Sequence, residues 1–309
     1  MKGHELNLSG NPVHISHGDY SARIAPVGAS LSSLNYGGRD LVVPYDTAGL
    51  RPSHRGAVLA PWPNRIIDGT YAWQGRTYQL PLTEPARHNA IHGLVDWNDF
   101  ELTGRTDASA TLSTPVVPVP GYPHCLRVTV TYALDDDGLS WTVETENLGD
   151  DDAPYGVAVH PYFTAGPGRA DDWTLTFPGT EYIESADEQM RPGETKSVRG
   201  SDVDFTAGRP LRGISCDLPF TKLQRSGGRA EARLLAADGT GVAISCGDDT
   251  PWMQVFTADS PDPDKNRIGV ALEPMTCPPD AFNSGTDVVR IAPGDLHRIE
   301  WHIAAVRNG

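Results

Sequence analysis

Apolar and polar residues alternate with a period of two over much of this chain, the spacing of strands with one buried face. The alternation is cleanest from Leu126 to Tyr132 and from Leu139 to Glu146, and Asp135-Asp-Asp-Gly138 between them is a turn sequence, which predicts a hairpin. Upstream, Ala22, Ile24, Leu31, Leu34 and the Tyr36-Gly37-Gly38 turn predict a β meander. Tyr71-Ala-Trp73 and Thr77 to Leu80 flank Gly75-Arg76 as a second hairpin. Further strands are expected at Trp173–Phe177, Glu181–Ile183, Val242–Cys246, Met253–Phe256 and Arg298–Ile303, with residues 187–212, polar and turn-rich, as connecting loops. No helix longer than a turn or two and no internal repeat is evident. The expected class is all-β.

Several polar residues break this pattern where an apolar one would serve a core. Glu273 interrupts Gly269-Val-Ala-Leu-Glu273-Pro-Met-Thr-Cys277, and Pro274 would place it at or near a strand end. Burial there would raise its pKa towards that of a useful general base, although an ion pair with an arginine would explain the same pattern. His160 closes the apolar run Tyr155-Gly-Val-Ala-Val-His160 before Pro161, among aromatic residues that would tune an imidazole for proton transfer. The prolines around Trp62 give a stiff, irregular approach to Asn64 and Arg65. His92 precedes Gly93, whose bare backbone leaves the imidazole room to reach a ligand. Asp217 stands among apolar residues as Glu273 does, and Gln254 is the polar member of Met253-Gln-Val-Phe256.

Composition narrows the setting. The 32 Gly and 26 Pro are spread along the chain rather than pooled in a linker, so residues 1–309 are expected to form one domain, and 39% hydrophobic residues suffice for a large core. A formal net charge of −15 argues against nucleic acid or an anionic membrane as partner and favours a neutral ligand. Cys125, Cys216, Cys246 and Cys277 are far apart, with no C-x-x-C pair, so free thiols in the cytosol are expected rather than a zinc site. The N-terminus lacks the apolar run of a secretion signal, and no run is long enough to span a membrane.

Taken together, His160, Glu273, Asp217, Arg65, His92, Asn64 and Gln254 supply an acid, a base and several hydrogen-bonding groups, a set suited to a polyhydroxylated substrate. The chain resembles the aldose 1-epimerase (galactose mutarotase) family in Pro61-Trp-Pro-Asn-Arg-Ile-Ile-Asp-Gly69, Asn89-Ala-Ile-His-Gly93, Val159-His-Pro-Tyr-Phe163, Asp217-Leu-Pro-Phe220, Trp252-Met-Gln-Val-Phe-Thr257 and Leu272-Glu-Pro274, in the family's order. The resemblance implies a large antiparallel β supersandwich with a sugar in a cleft on one face. It implies Glu273 as general base and His160 as general acid. Arg65 and His92 would polarise sugar oxygens, Asp217 would orient ring hydroxyls, and Asn64 and Gln254 would add contacts. No cofactor or metal is implied, the partner is a small sugar, and the protein would be a monomer or homodimer. The sequence departs from the family's pattern before His160, where Ala158-Val159 stand, which leaves sugar preference open. Three rivals remain. A hexose-6-phosphate 1-epimerase would use Arg51, His54 and Arg55, whereas the net charge favours a neutral aldose. A non-catalytic sugar-binding domain would have no use for both His160 and Glu273. A two-carboxylate glycosidase would need Asp217 and Glu273 about 5–9.5 Å apart.

Overall fold

The computed structural model describes residues 7–308. A four-stranded antiparallel meander from Val13–His17 to Arg39–Asp40 opens the chain, and sheets of nine and eight strands follow, with three small two-stranded ladders. Among the described residues the only helical pieces are the single turn Ala281–Ser284 and the 3-10 turns Pro85–Arg87 and Ala170–Asp172. The class is all-β, as the period-two pattern implies.

The nine-stranded sheet is built around the hairpin Leu126–Leu134 and Leu139–Asn147, in which Val130 pairs with Val143 and the buried residues fall on alternate positions except at Thr142, which is buried between Trp141 and Val143. Val128, Val130, Trp141, Val143, Ile299 and Ile303 of this sheet share one apolar cluster with Val159, Phe220, Met253, Val255 and Leu272 of the eight-stranded sheet. The main core therefore lies between the two sheets, each of which turns its apolar face inward.

The other face of the eight-stranded sheet carries three rows of side chains. Its strands run Pro192–Ser197, Glu181–Ser185, Asp217–Thr221, Trp252–Phe256, Val270–Met275, Ala158–Val159 and Val58–Leu59, with Tyr162–Phe163 also paired to Val270–Met275. Leu59, Ala158, Met275 and Trp252 form one apolar row, and Tyr162, Ala271 and Phe256 form another. Between them lies a row of polar side chains.

Three expectations need correction. Pro274 does not end its strand, which continues to Met275. Ala158 pairs with Met275 and Tyr162 with Ala271, so no strand is paired on that side with residues 272–274, and a missing N–H is tolerated there. Residues 187–212 are not all loop: Pro192–Ser197 and Arg209–Pro210 are strands. Pro61 to Asn64 form no regular element, as expected, but Arg65 itself begins the strand Arg65–Ile67.

Candidate active site

The polar row follows from register. Because Ala158 pairs with Met275 and Tyr162 with Ala271, His160 stands opposite Glu273, in the gap where Pro161 breaks the neighbouring strand in two. On its other side Glu273 pairs directly with Gln254. His160, Glu273 and Gln254 thus lie side by side across three chain segments. The Nε2 of His160 is 3.4 Å from Oε1 of Glu273, and Gln254 donates from Nε2 to Oδ1 of Asp217 at 2.7 Å. That bond fixes the amide, since only its nitrogen can face a carboxylate, and it leaves Gln254 Oε1 buried with no partner among the described residues.

A short ladder brings the remaining groups. Arg65 pairs with Ile91, which sets Arg65 and His92 at adjoining ends of two strands, and the backbone N–H of His92 donates to the carbonyl of Asn64 at 2.9 Å. Asn64, His92 and Gly93 all have positive φ, 52°, 63° and 78°. At Gly93 a side chain is excluded, because a Cβ would lie 2.1 Å from the carbonyl oxygen of Ala60. His92 approaches His160 with ring centroids 5.4 Å apart. All seven residues expected from the sequence are therefore brought together, and six of them, Asp217 apart, are buried.

Sequence reasoning overlooked Glu84, Asp96 and Tyr162. Glu84 grips Arg65 with both oxygens, Oε2 to Nε at 2.8 Å and Oε1 to Nη2 at 2.9 Å, and also accepts from Arg87 and Asn89. Such a bidentate pair fixes the guanidinium plane. Asp96 receives His54, Nδ1 to Oδ2 at 2.7 Å, and the ring of Tyr162 lies flat on His160, centroids 5.1 Å apart. Glu84 stands just before Pro85 in a polar stretch, so no periodicity singled it out.

Burial dominates the electrostatics. It raises the Glu273 carboxyl well above its ordinary value, helped by the negative charge of Asp217 and opposed by Arg65. It also lowers His160 well below its ordinary value, with the charges of His54, Arg51 and Arg55 acting in the same direction. His92 is lowered too, by burial first and then by His54 and His160. Burial alone would raise Glu84, but the hydrogen bonds and charge of Arg65 outweigh it and hold that carboxyl at about 2. Chemically, the site offers one facing acid–base pair that retains a proton, inside a ring of fixed donors and acceptors. The four cysteines are free. Among the described residues no helix is long and apolar enough to cross a membrane, and no cluster of His, Cys, Asp or Glu is arranged to hold a metal.

The uncharacterized protein YihR of Escherichia coli is 35% identical over 304 residues, spanning 98% of this chain and 96% of YihR. Human galactose mutarotase is 31% identical over 158 residues, which is 48% of this chain and 44% of that protein. Among solved structures, the GalM/aldose epimerase homologue from C. elegans superposes with a TM-score of 0.83 at 20% identity, covering 96% of this chain and 99% of its own, a likeness of fold. The family model for aldose 1-epimerase matches residues 12–304, nearly the whole sheet framework that carries the polar row, and the chain belongs to the aldose 1-epimerase family.

Proposed function

We propose that the protein interconverts the α and β anomers of an aldose by opening and reclosing the sugar ring, with Glu273 and His160 moving the protons. The observation that carries this reading is the 3.4 Å approach of His160 Nε2 to Glu273 Oε1 across a gap in the sheet. Ring opening needs a base for the anomeric hydroxyl and an acid for the ring oxygen, and these two atoms lie one bond either side of the anomeric carbon. Glu273 as carboxylate takes the proton from O1 while His160 as imidazolium donates from Nε2 to O5. The C1–O5 bond breaks, C1=O1 forms, and rotation about C1–C2 presents the other face of the aldehyde. Reclosure runs the same transfers backwards.

The shifted acidities suit this cycle. Before opening the pair is carboxylate and imidazolium; afterwards it is carboxylic acid and neutral imidazole, with the same single proton. Raising Glu273 and lowering His160 moves the balance from the first arrangement towards the second, so that the proton released by O1 is held by the carboxyl while the sugar is open. A positioned acid and a positioned base each contribute about 10²–10⁴-fold, enough for this reaction by proton transfer alone. Arg65, clamped by Glu84, and His92 would stabilise charge on sugar oxygen, while Asn64, Asp217 and Gln254, with its free Oε1, would hold ring hydroxyls. Optical rotation of freshly dissolved α-anomers tests the proposal: relaxation faster than the spontaneous rate supports it. Sugar binding with no acceleration would instead mean a binding module.

A further inference from the structure

Arg51, Arg55, Arg65 and Arg267 are buried arginines, and three of them face carboxylates: Arg65 meets Glu84, Arg267 meets Asp171 and Asp259, and Arg51 lies 4.0 Å from Asp96. Arg55 has none. Among the described residues its polar contact is the Pro44 carbonyl, 3.4 Å from Nη1, its guanidinium lies 5.3 Å from the centre of the Tyr162 ring, and its buried Nε donates to nothing. Buried arginines are ordinarily paired, because desolvating a guanidinium without a counter-charge is costly. The fold carries that cost one ring away from the acid–base pair, since Tyr162 lies flat on His160, the planes 4° apart.

The neighbours of Arg55 supply further N–H donors, and the one carboxylate among them, Asp96, is already taken up by His54 and Arg51. His54, with 28% of its side chain exposed, stands 4.7 Å from His92 and 6.4 Å from His160 between ring centroids, held by Asp96 at Nδ1. Behind it Arg51 stacks on Trp97 at 4.4 Å, with Nε and Nη1 unpartnered. If His160 serves the ring oxygen, the carbon on the far side of that oxygen is C5, whose exocyclic carbon is the substituent nearest to groups beyond the histidine.

We propose that Arg55 and His54, backed by Arg51, form a subsite for an oxyanion on the exocyclic carbon of the sugar, so that the substrate is an acidic aldose rather than a neutral one. This rests on the anomerase reading and deepens it. The net charge of −15 does not oppose it, because charges beyond about 8 Å are screened at physiological salt while a buried guanidinium is not. The oxyanion supplies the charge that Arg55 lacks, and its tetrahedral or planar form decides how many of the free N–H donors it meets.

The test compares kcat/KM for α–β exchange of glucose, glucose 6-phosphate, glucose 6-sulfate and glucuronate at fixed ionic strength, each above its spontaneous rate. At least one acidic sugar should exceed glucose by tenfold or more, and Arg55→Met should reduce that acidic-to-neutral ratio at least tenfold, with Arg55→Lys recovering part of it. Should Arg55→Met not fold, His54→Gln and competition by inorganic phosphate or sulfate serve instead: the ions should inhibit exchange of the acidic sugar, and His54→Gln should weaken that inhibition. Glucose preferred or equal to every acidic sugar, or a ratio unmoved by the variants, overturns the subsite and leaves the anomerase reading standing. Exchange of no sugar above the spontaneous rate overturns both.

Discussion

Glu273 Oε1 and His160 Nε2 stand 3.4 Å apart with side chains only 3% and 7% exposed, one inside a continuous strand and the other in the break of its neighbour. That burial raises the Glu273 carboxyl well above its unfolded value of 4.5. Below the unfolded value the group is neutral in both states and costs nothing; as pH rises from there to the folded value, the unfolded chain releases a proton that the folded one keeps, and stability is lost. Glu273→Gln is never charged. It is therefore expected to unfold with the wild type near pH 4 and at least about 2 °C above it at pH 8, roughly the shift given by 1 kcal/mol in a chain of this size. Thermal unfolding at both pH values checks this, and a variant destabilised at pH 8 would mean that partners hold the anion.

Glu84 carries the opposite sign. Its carboxyl is held at about 2 against an unfolded 4.5, so the stability it confers through Arg65 is fully present above 4.5 and disappears as pH falls towards 2. Glu84→Gln should therefore lower the unfolding temperature at pH 7 and match the wild type at pH 2. With Arg65 no longer gripped in its plane, kcat/KM should fall about tenfold, in keeping with the ~1.5 kcal/mol of a hydrogen bond to a charged group. Steady-state kinetics measures the ratio, and an unchanged kcat/KM would show that Arg65 is placed without Glu84.

Gly93→Ala should cost about 3 kcal/mol, because it puts a Cβ 2.1 Å from the Ala60 carbonyl oxygen at a backbone φ of 78°. Denaturant unfolding measures the loss. Since Gly93 adjoins His92, any folded variant should also lose activity, whereas full stability and activity would show that the backbone there relaxes freely.

The sequence disclosed those parts in which each residue's environment matches its type. The hairpin Leu126–Asn147 was legible because its large apolar residues alternate along both strands and Asp135 to Gly138 is a turn sequence. The strand Pro192–Ser197 was not, since it has no fully buried residue and owes its existence to pairing with Glu181–Ser185. Pro274 misled for a related reason: a proline normally ends a strand, and only the gap opposite residues 272–274 shows why it is accepted here. The site residues that interrupt apolar runs, Glu273, His160 and Gln254, stood out. Glu84 and Asp96 act through partners remote in sequence, Arg65 and His54, so nothing local marked them.

The most direct measurement is magnetisation exchange between the α and β anomeric protons of neutral and acidic aldoses at equilibrium, where no net reaction is needed. The expected result is an exchange rate that rises in proportion to protein concentration for at least one aldose, and that falls by about 10²-fold or more in a folded Glu273→Gln variant. Exchange at the spontaneous rate throughout, or a Glu273→Gln protein as fast as the wild type, would contradict the acid–base pair as the centre of this protein's function.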